Sequence, residues 1–136
     1  MYTSDILVRV RYGETDKMGY AYYGNYATYF EVARVELLRK LGISYKKMED
    51  DGYMLPVYEF SVKYYKPAYY DDELRIHTEI RELPYSRITF YYKTYNEKDE
   101  VLNEAQTTLV FVNKETGKPC QAPDNFNAAI RPFFEH

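Results

Sequence analysis

Only one stretch of this chain repeats with the period of a long helix; most of the remainder alternates. Tyr26, Tyr29, Phe30, Ala33, Leu37 and Leu41 recur at helical spacing, with Glu31, Arg34, Glu36, Arg39 and Lys40 mostly between them. Basic residues in the last turn and Gly42 just beyond it end the helix, and Gly24 or Asn25 begins it. Ser44 is placed to cap a short second helix from Tyr45 to about Asp50, stopped near Gly52. Elsewhere the period is two. Ile6, Val8, Val10 and Tyr12 alternate with Leu7, Arg9 and Arg11. Tyr58, Phe60, Val62 and Tyr64 alternate with Glu59, Ser61 and Lys63, and Leu74, Ile76, Thr78 and Ile80 with Glu73, Arg75, His77 and Glu79. Arg87–Tyr95 and Val101–Asn113 complete the strands, separated by the hairpin-sized turns "LPYS" and "NEKDE". The tail from Lys114, with three prolines and Gly117, reads as irregular surface chain. The expected architecture is one α+β domain over residues 1–136, a mostly antiparallel curled sheet with a long helix on its concave side.

Composition narrows the function. A net charge of −3, with basic residues scattered among acidic ones, gives no footprint for nucleic acid. No apolar run is long enough to cross a bilayer, and the N-terminus reads as strand rather than signal peptide. The single cysteine, Cys120, forbids an intramolecular disulfide and fits a reducing compartment, so a soluble cytoplasmic protein is expected. The chain has 18 tyrosines and no tryptophan, and most of those rings are expected in sheet and interface packing. Cys/His metal spacings, phosphate-binding glycine loops and a G-x-S-x-G elbow are all lacking from the sequence. His77 sits on the polar side of a strand, His136 is simply the last residue, and Cys120 has no neighbouring histidine to activate it.

That leaves the loop "ETDKMGYAYYGN". Asp16 follows a strand, Gly19 comes three residues later, and a helix begins near Gly24. Unpaired amides at a helix start carry about +0.5 of a charge and can polarise a carbonyl. A carboxylate nearby could deprotonate water or attack that carbonyl itself. Those are the two parts acyl transfer needs, although these residues alone favour Asp16 in "TDKMG" making an Asx-turn and no more.

The segment "VRYGETDKMGYAYYGNYATYFEVARVELLRKLG" closely resembles the signature of the 4-hydroxybenzoyl-CoA thioesterase family, including its bacterial branch of short- and medium-chain acyl-CoA thioesterases. The matching positions are Arg11, Tyr12, Glu14, Thr15, Asp16, Gly19, Asn25, Tyr26, Phe30, Glu31, Ala33 and Arg34. "FSVKYYKPAYYDDELRIHTEI" is similar to the next two strands of that family and their linking turn. The resemblance implies a hotdog fold, a five-stranded antiparallel sheet wrapped around one helix. It also implies homodimers or homotetramers with sites at the dimer interface, and hydrolysis of acyl-CoA without metal or cofactor. Asp16 matches the catalytic carboxylate, and Tyr23 the position whose backbone amide polarises the thioester carbonyl. Many bacterial relatives carry histidine where this chain has Tyr23; a backbone amide serves with either residue. Substrate contacts are expected from Met18 and Tyr22 around the acyl group, and from Gly19, Gly24 and Asn25 beside it. Lys63, Lys66 and Arg75 are candidates for the phosphates of coenzyme A. A thioesterase acting on acyl carrier protein and a non-catalytic acyl-CoA-binding module are the alternatives. A dehydratase is disfavoured, since such enzymes need a histidine in this region.

Overall fold

In the computed structural model, which describes residues 1–135, strand β1 (Tyr2–Arg9) leads into helix α1 (Asn25–Arg39) and the short helix α2 (Tyr45–Asp50). His136 lies outside the described residues. Then come β2 (Tyr53–Met54), β3 (Val57–Tyr64), β4 (Glu73–Ile80), β5 (Arg87–Tyr95), β6 (Val101–Val110), β7 (Val112–Asn113) and helix α3 (Asp124–Ile130). Five strands form one sheet in the order β1-β4-β5-β6-β3, antiparallel at every pairing. The fold is the hotdog fold, α+β, with α1 against the sheet.

The alternating pattern decides which face meets the helix. Leu74, Ile76 and Ile80 of β4, with Ile88, Phe90 and Tyr92 of β5, are buried beneath α1. The buried stripe of α1 runs through Tyr26, Tyr29, Phe30, Ala33 and Leu37, and Phe30 stacks on Tyr92 with ring centroids 4.5 Å apart. Burying each large apolar side chain of this kind contributes about 1.5–3 kcal/mol. The Ser44 hydroxyl caps α2 by accepting from the Lys47 amide at 3.3 Å. Among the described residues no helix is long and apolar enough to cross a membrane.

Three boundaries differ from the periodicity. The first strand does not reach Tyr12. It stops at Arg9 because Val10 pairs with the β3–β4 loop, its amide donating to the Asp72 carbonyl at 2.9 Å, and Tyr12–Glu14 curl into a 3-10 turn. The last strand is not continuous to Asn113. It breaks at Phe111, whose fully buried ring turns inward, so that Val112–Asn113 pair with Tyr53–Met54 instead. The tail is not irregular throughout. Phe126 and Ile130 of α3 are buried, Phe126 packs edge-on against Phe111 at 5.5 Å, and Phe133 beyond it meets Tyr2 at 4.6 Å.

Candidate active site

The loop after β1 folds as a small hairpin. The Asp16 amide donates to the Tyr20 carbonyl at 2.8 Å, Thr15 bridges Ala21, and the Tyr22 amide donates to the Glu14 carbonyl at 2.8 Å. Gly19 makes the reversal at φ +81°, a conformation that side chains resist. Asp16 does form an Asx-turn: its Oδ1 accepts from the amides of Met18 (2.9 Å) and Tyr20 (3.2 Å). Its Oδ2 has no hydrogen-bond partner among the described residues. One oxygen shapes the loop, and the other is left without a partner among the described residues.

Helix α1 starts beside that hairpin without a side-chain cap. The amides of Asn25 and Tyr26 turn back to the carbonyls of Tyr22 (2.9 Å) and Tyr23 (3.1 Å). The amides of Tyr23 and Gly24 have no acceptor among the described residues, so the positive end of the helix dipole is open there. The β3–β4 loop closes the far wall. The Ala21 amide donates to the Ala68 carbonyl at 2.7 Å, and Tyr20 bridges Tyr69. Between the two loops lies a cleft of about 300 Å³. Asp16, Met18, Tyr23 and Lys66, four residues anticipated from the sequence, line it together.

The other anticipated residues stand outside its lining. The Asn25 side-chain amide donates to the Glu14 carbonyl at 2.7 Å, which ties helix to hairpin. Gly24 lies under the Tyr22 ring, where any Cβ would stand 2.6 Å from a ring carbon. Tyr22 itself packs on Tyr23 at 4.8 Å. Lys63 precedes Tyr64 on β3, so period two sends it to the opposite face of the sheet. There it borders a groove of about 500 Å³ with His77, Lys93 and Glu104. That groove is larger than the cleft, and apart from Lys63, whose ammonium lies 5.8 Å from the Tyr65 ring, its charges are already paired. His77 stands between Asp5 (2.6 Å) and Glu79 (3.1 Å), and Lys93 faces Glu104 at 3.6 Å. Arg75, on the same face, covers the Tyr95 ring at 4.2 Å and pairs with Asp99 at 3.4 Å. Lys66 is ion-paired with Glu100 at the cleft rim.

Residues not anticipated as contacts from the sequence complete the cleft: Tyr20, Ala21, Tyr26, Tyr64, Tyr65, Pro67 and Ala68. The signal for the last two was present in "FSVKYYKPAYYDDELRIHTEI", where Pro67 and Ala68 belong to the turn linking the two strands. The Tyr26 and Tyr64 rings meet edge-on at 5.6 Å and form the inner wall. Burial pushes the Tyr26 hydroxyl up to about 12, so it is neutral at physiological pH and can donate.

Comparison with known proteins places the chain in a family. Residues 10–130 match the model of the thioesterase-like superfamily, a wider grouping than the 4-hydroxybenzoyl-CoA branch that the signature resembles. The chain is 36% identical to YneP of Bacillus subtilis over 89% of its length and 88% of that protein. It is 33% identical to the acyl-CoA thioester hydrolase YbgC of Escherichia coli O6:H1, covering 91% and 92% of the two chains. The crystal structure of DHNA-CoA thioesterase from Staphylococcus aureus superposes with a TM-score of 0.93 at 35% identity, over 98% of this chain and 92% of that one. With an uncapped helix start and a half-free carboxylate sharing one cleft, and matches of this extent, the chain belongs to the thioesterase-like superfamily, the thioester hydrolases of the hotdog fold.

Proposed function

We propose that the protein hydrolyses an acyl-CoA to the free acid and coenzyme A, its whole chain acting as one hotdog domain. The observation that carries this reading is the meeting of the Asp16 carboxylate and the open amide of Tyr23 in a single cleft. In the proposed reaction the thioester carbonyl oxygen accepts from the Tyr23 amide, which strengthens as negative charge develops on that oxygen. Asp16 Oδ2 either takes a proton from the attacking water or attacks the carbonyl carbon itself, while Oδ1 stays bound to the loop amides. The tetrahedral intermediate then collapses by expelling the sulfur of coenzyme A: in the general-base route the thiolate takes the proton held by Asp16 as the free acid leaves, and in the nucleophilic route an anhydride between the acyl group and Asp16 forms, which water hydrolyses to the acid and the regenerated carboxylate, its proton going to the thiolate. The names of YbgC and of the Staphylococcus aureus protein, both acting on CoA thioesters, support that substrate class.

Lys66 at the rim is the proposed contact for the phosphates of coenzyme A, exchanging Glu100 for them on binding. Met18 flanks the acyl group. The protein is further proposed to work as a homodimer, or a homotetramer of such pairs, in the cytoplasm. Support for pairing comes from β3, one of the two edge strands of the sheet, where Val57, Tyr58, Phe60 and Tyr64 are exposed. An edge with unpaired backbone groups and large apolar side chains invites a second strand. The test is thiol release over short, medium, long and aromatic acyl-CoAs. Release from none of them would refute the reading.

A further inference from the structure

Arg34 of α1 is buried, at 7% exposure, and its Nε has no hydrogen-bond partner among the described residues. Burial works against its charge, and the hydroxyls of Tyr92 and Tyr45 beside it favour that charge. Those hydroxyls bring no counter-charge, because burial pushes both upward and leaves them neutral at physiological pH. The ion pair found within α1 joins Arg39 to Glu36 at 3.2 Å and leaves Arg34 out. A buried cation without an anion is costly, so its surroundings should hold the missing charge. Arg34 lines two small cavities, one of about 210 Å³ toward α2 and one of about 160 Å³ toward β3. Glu31, exposed and three residues earlier on the same helix, borders both. Glu49 of α2 borders the first. Among the described residues neither carboxylate forms an ion pair with Arg34 or with any other cation. The second cavity also touches Val57 and Phe60, so it is continuous with the exposed edge of β3.

We propose that the face of α1 around Glu31 and Arg34 docks on the same face of a second copy of this chain, each Glu31 reaching the partner's Arg34. This rests on the homodimer of the proposed reading and adds the groups that close it. A two-fold axis brings residue i against residue j and j against i, so a helix face carrying one anion and one cation complements itself. Charge complementarity therefore selects a second copy as the occupant: a single contact supplies the anion that Arg34 lacks and the cation that Glu31 lacks, twice over. Ala27, Thr28 and Val32, exposed around Glu31, are short enough for two helices to approach closely. Glu49 stands on α2, across the first cavity and away from the β3 edge, and does not share that face.

The experiment is a dilution series by sedimentation, with thermal unfolding as a check on folding. Glu31→Arg and Arg34→Glu each set like charges across the contact, and each should raise the dimer dissociation constant at least about 30-fold. An equal mixture of the two variants sets an all-cationic face against an all-anionic one, so association should return toward that of the unmodified protein. An ion pair within one chain gains nothing from mixing. Glu49→Gln should leave association unchanged. Single variants that associate like the unmodified protein overturn the proposal and leave Arg34 to a small anion. Weakened variants that mixing does not rescue overturn it too, as does a Glu49→Gln protein weakened as much as Glu31→Arg. Should Arg34→Glu fail to fold, the cycle of Glu31→Gln, Arg34→Gln and the double variant decides. Effects on dissociation that simply add overturn the proposal, and a double effect smaller than the sum supports it. An unmodified protein that stays monomeric at every concentration overturns the homodimer and this inference together. Thiol release, assayed separately, tests the thioesterase reading on its own.

Discussion

The Tyr29 hydroxyl donates to Glu14 Oε1 at 2.9 Å, joining the second turn of α1 to the hairpin that carries Asp16. The same carboxylate accepts from the Arg11 amide at 2.8 Å and the Arg11 guanidinium at 2.9 Å. Burial works against its charge, but these hydrogen bonds prevail and hold the Glu14 carboxyl below its ordinary range. Burial, and then Glu14 itself, push the Tyr29 hydroxyl up, so at neutral pH the pair is a carboxylate and a neutral phenol. The hairpin is thereby fixed to the helix whose start it must face.

Tyr29→Phe removes that tie and leaves every ring contact. A hydrogen bond to a charged group contributes about 1.5–3 kcal/mol, and a loss near the lower figure is expected in urea unfolding. Equal unfolding midpoints for the two proteins would show that the tie carries nothing.

Asp16→Asn keeps an acceptor for the amides of Met18 and Tyr20 and removes only the charge. The expected outcome is a kcat lowered by about 10³-fold, with unfolding within about 0.5 kcal/mol of the parent. An Asp16→Asn protein that hydrolyses a good acyl-CoA at most of the parent rate would remove Asp16 from the mechanism.

Tyr23→Ala and Tyr23→Pro separate the side chain from the backbone. Alanine keeps the amide, and its activity should stay within about tenfold. Proline deletes the donor, which should cost about 10²–10³ in kcat. Comparable rates from two folded variants would show that the carbonyl is held elsewhere.

Stability should fall as pH rises above 10. Burial pushes the hydroxyls of Tyr26 and Tyr45 each up to about 12, whereas an unfolded tyrosine ionises near ~10. Between those values the unfolded chain has released protons that the folded chain retains. The stabilisation, complete below pH ~10, is then lost toward pH 12 at about 1.4 kcal/mol per pH unit for each group. Urea midpoints measured from pH 9 to 11 check this, and Tyr26→Phe or Tyr45→Phe should flatten the slope.

Phe60→Lys places a charge on the exposed edge strand β3. If copies pair along that edge, the variant should run as a monomer in size-exclusion chromatography and lose most activity. An unchanged elution volume would place the contact between copies on another surface.

Much of the architecture was legible in the chain because period and capping act locally. Leu74, Ile76, Thr78 and Ile80 declared β4, the stripe from Tyr26 to Leu37 declared α1, and Ser44 marked the start of α2. The break at Phe111 and the tail helix were not legible. A residue turns out of a ladder, and seven residues hold a helix, only when a buried partner such as Phe126 awaits them.

The site divides in the same way. Asp16, Gly19 and Tyr23 lie within one short stretch, so sequence alone could place a carboxylate beside a helix start. It left open whether Asp16 was a turn-former or a ligand group; the fold assigns the turn to Oδ1 and leaves Oδ2 unpartnered. Sequence could not show that Lys63 would point away while Tyr64 walled the cleft, since that depends on which face of β3 meets α1. Nor could it bring Ala68 to Ala21. Local chemistry supplied the candidate groups, and long-range packing decided what surrounds them, because a cleft wall is made of residues that meet only when the whole sheet closes on its helix.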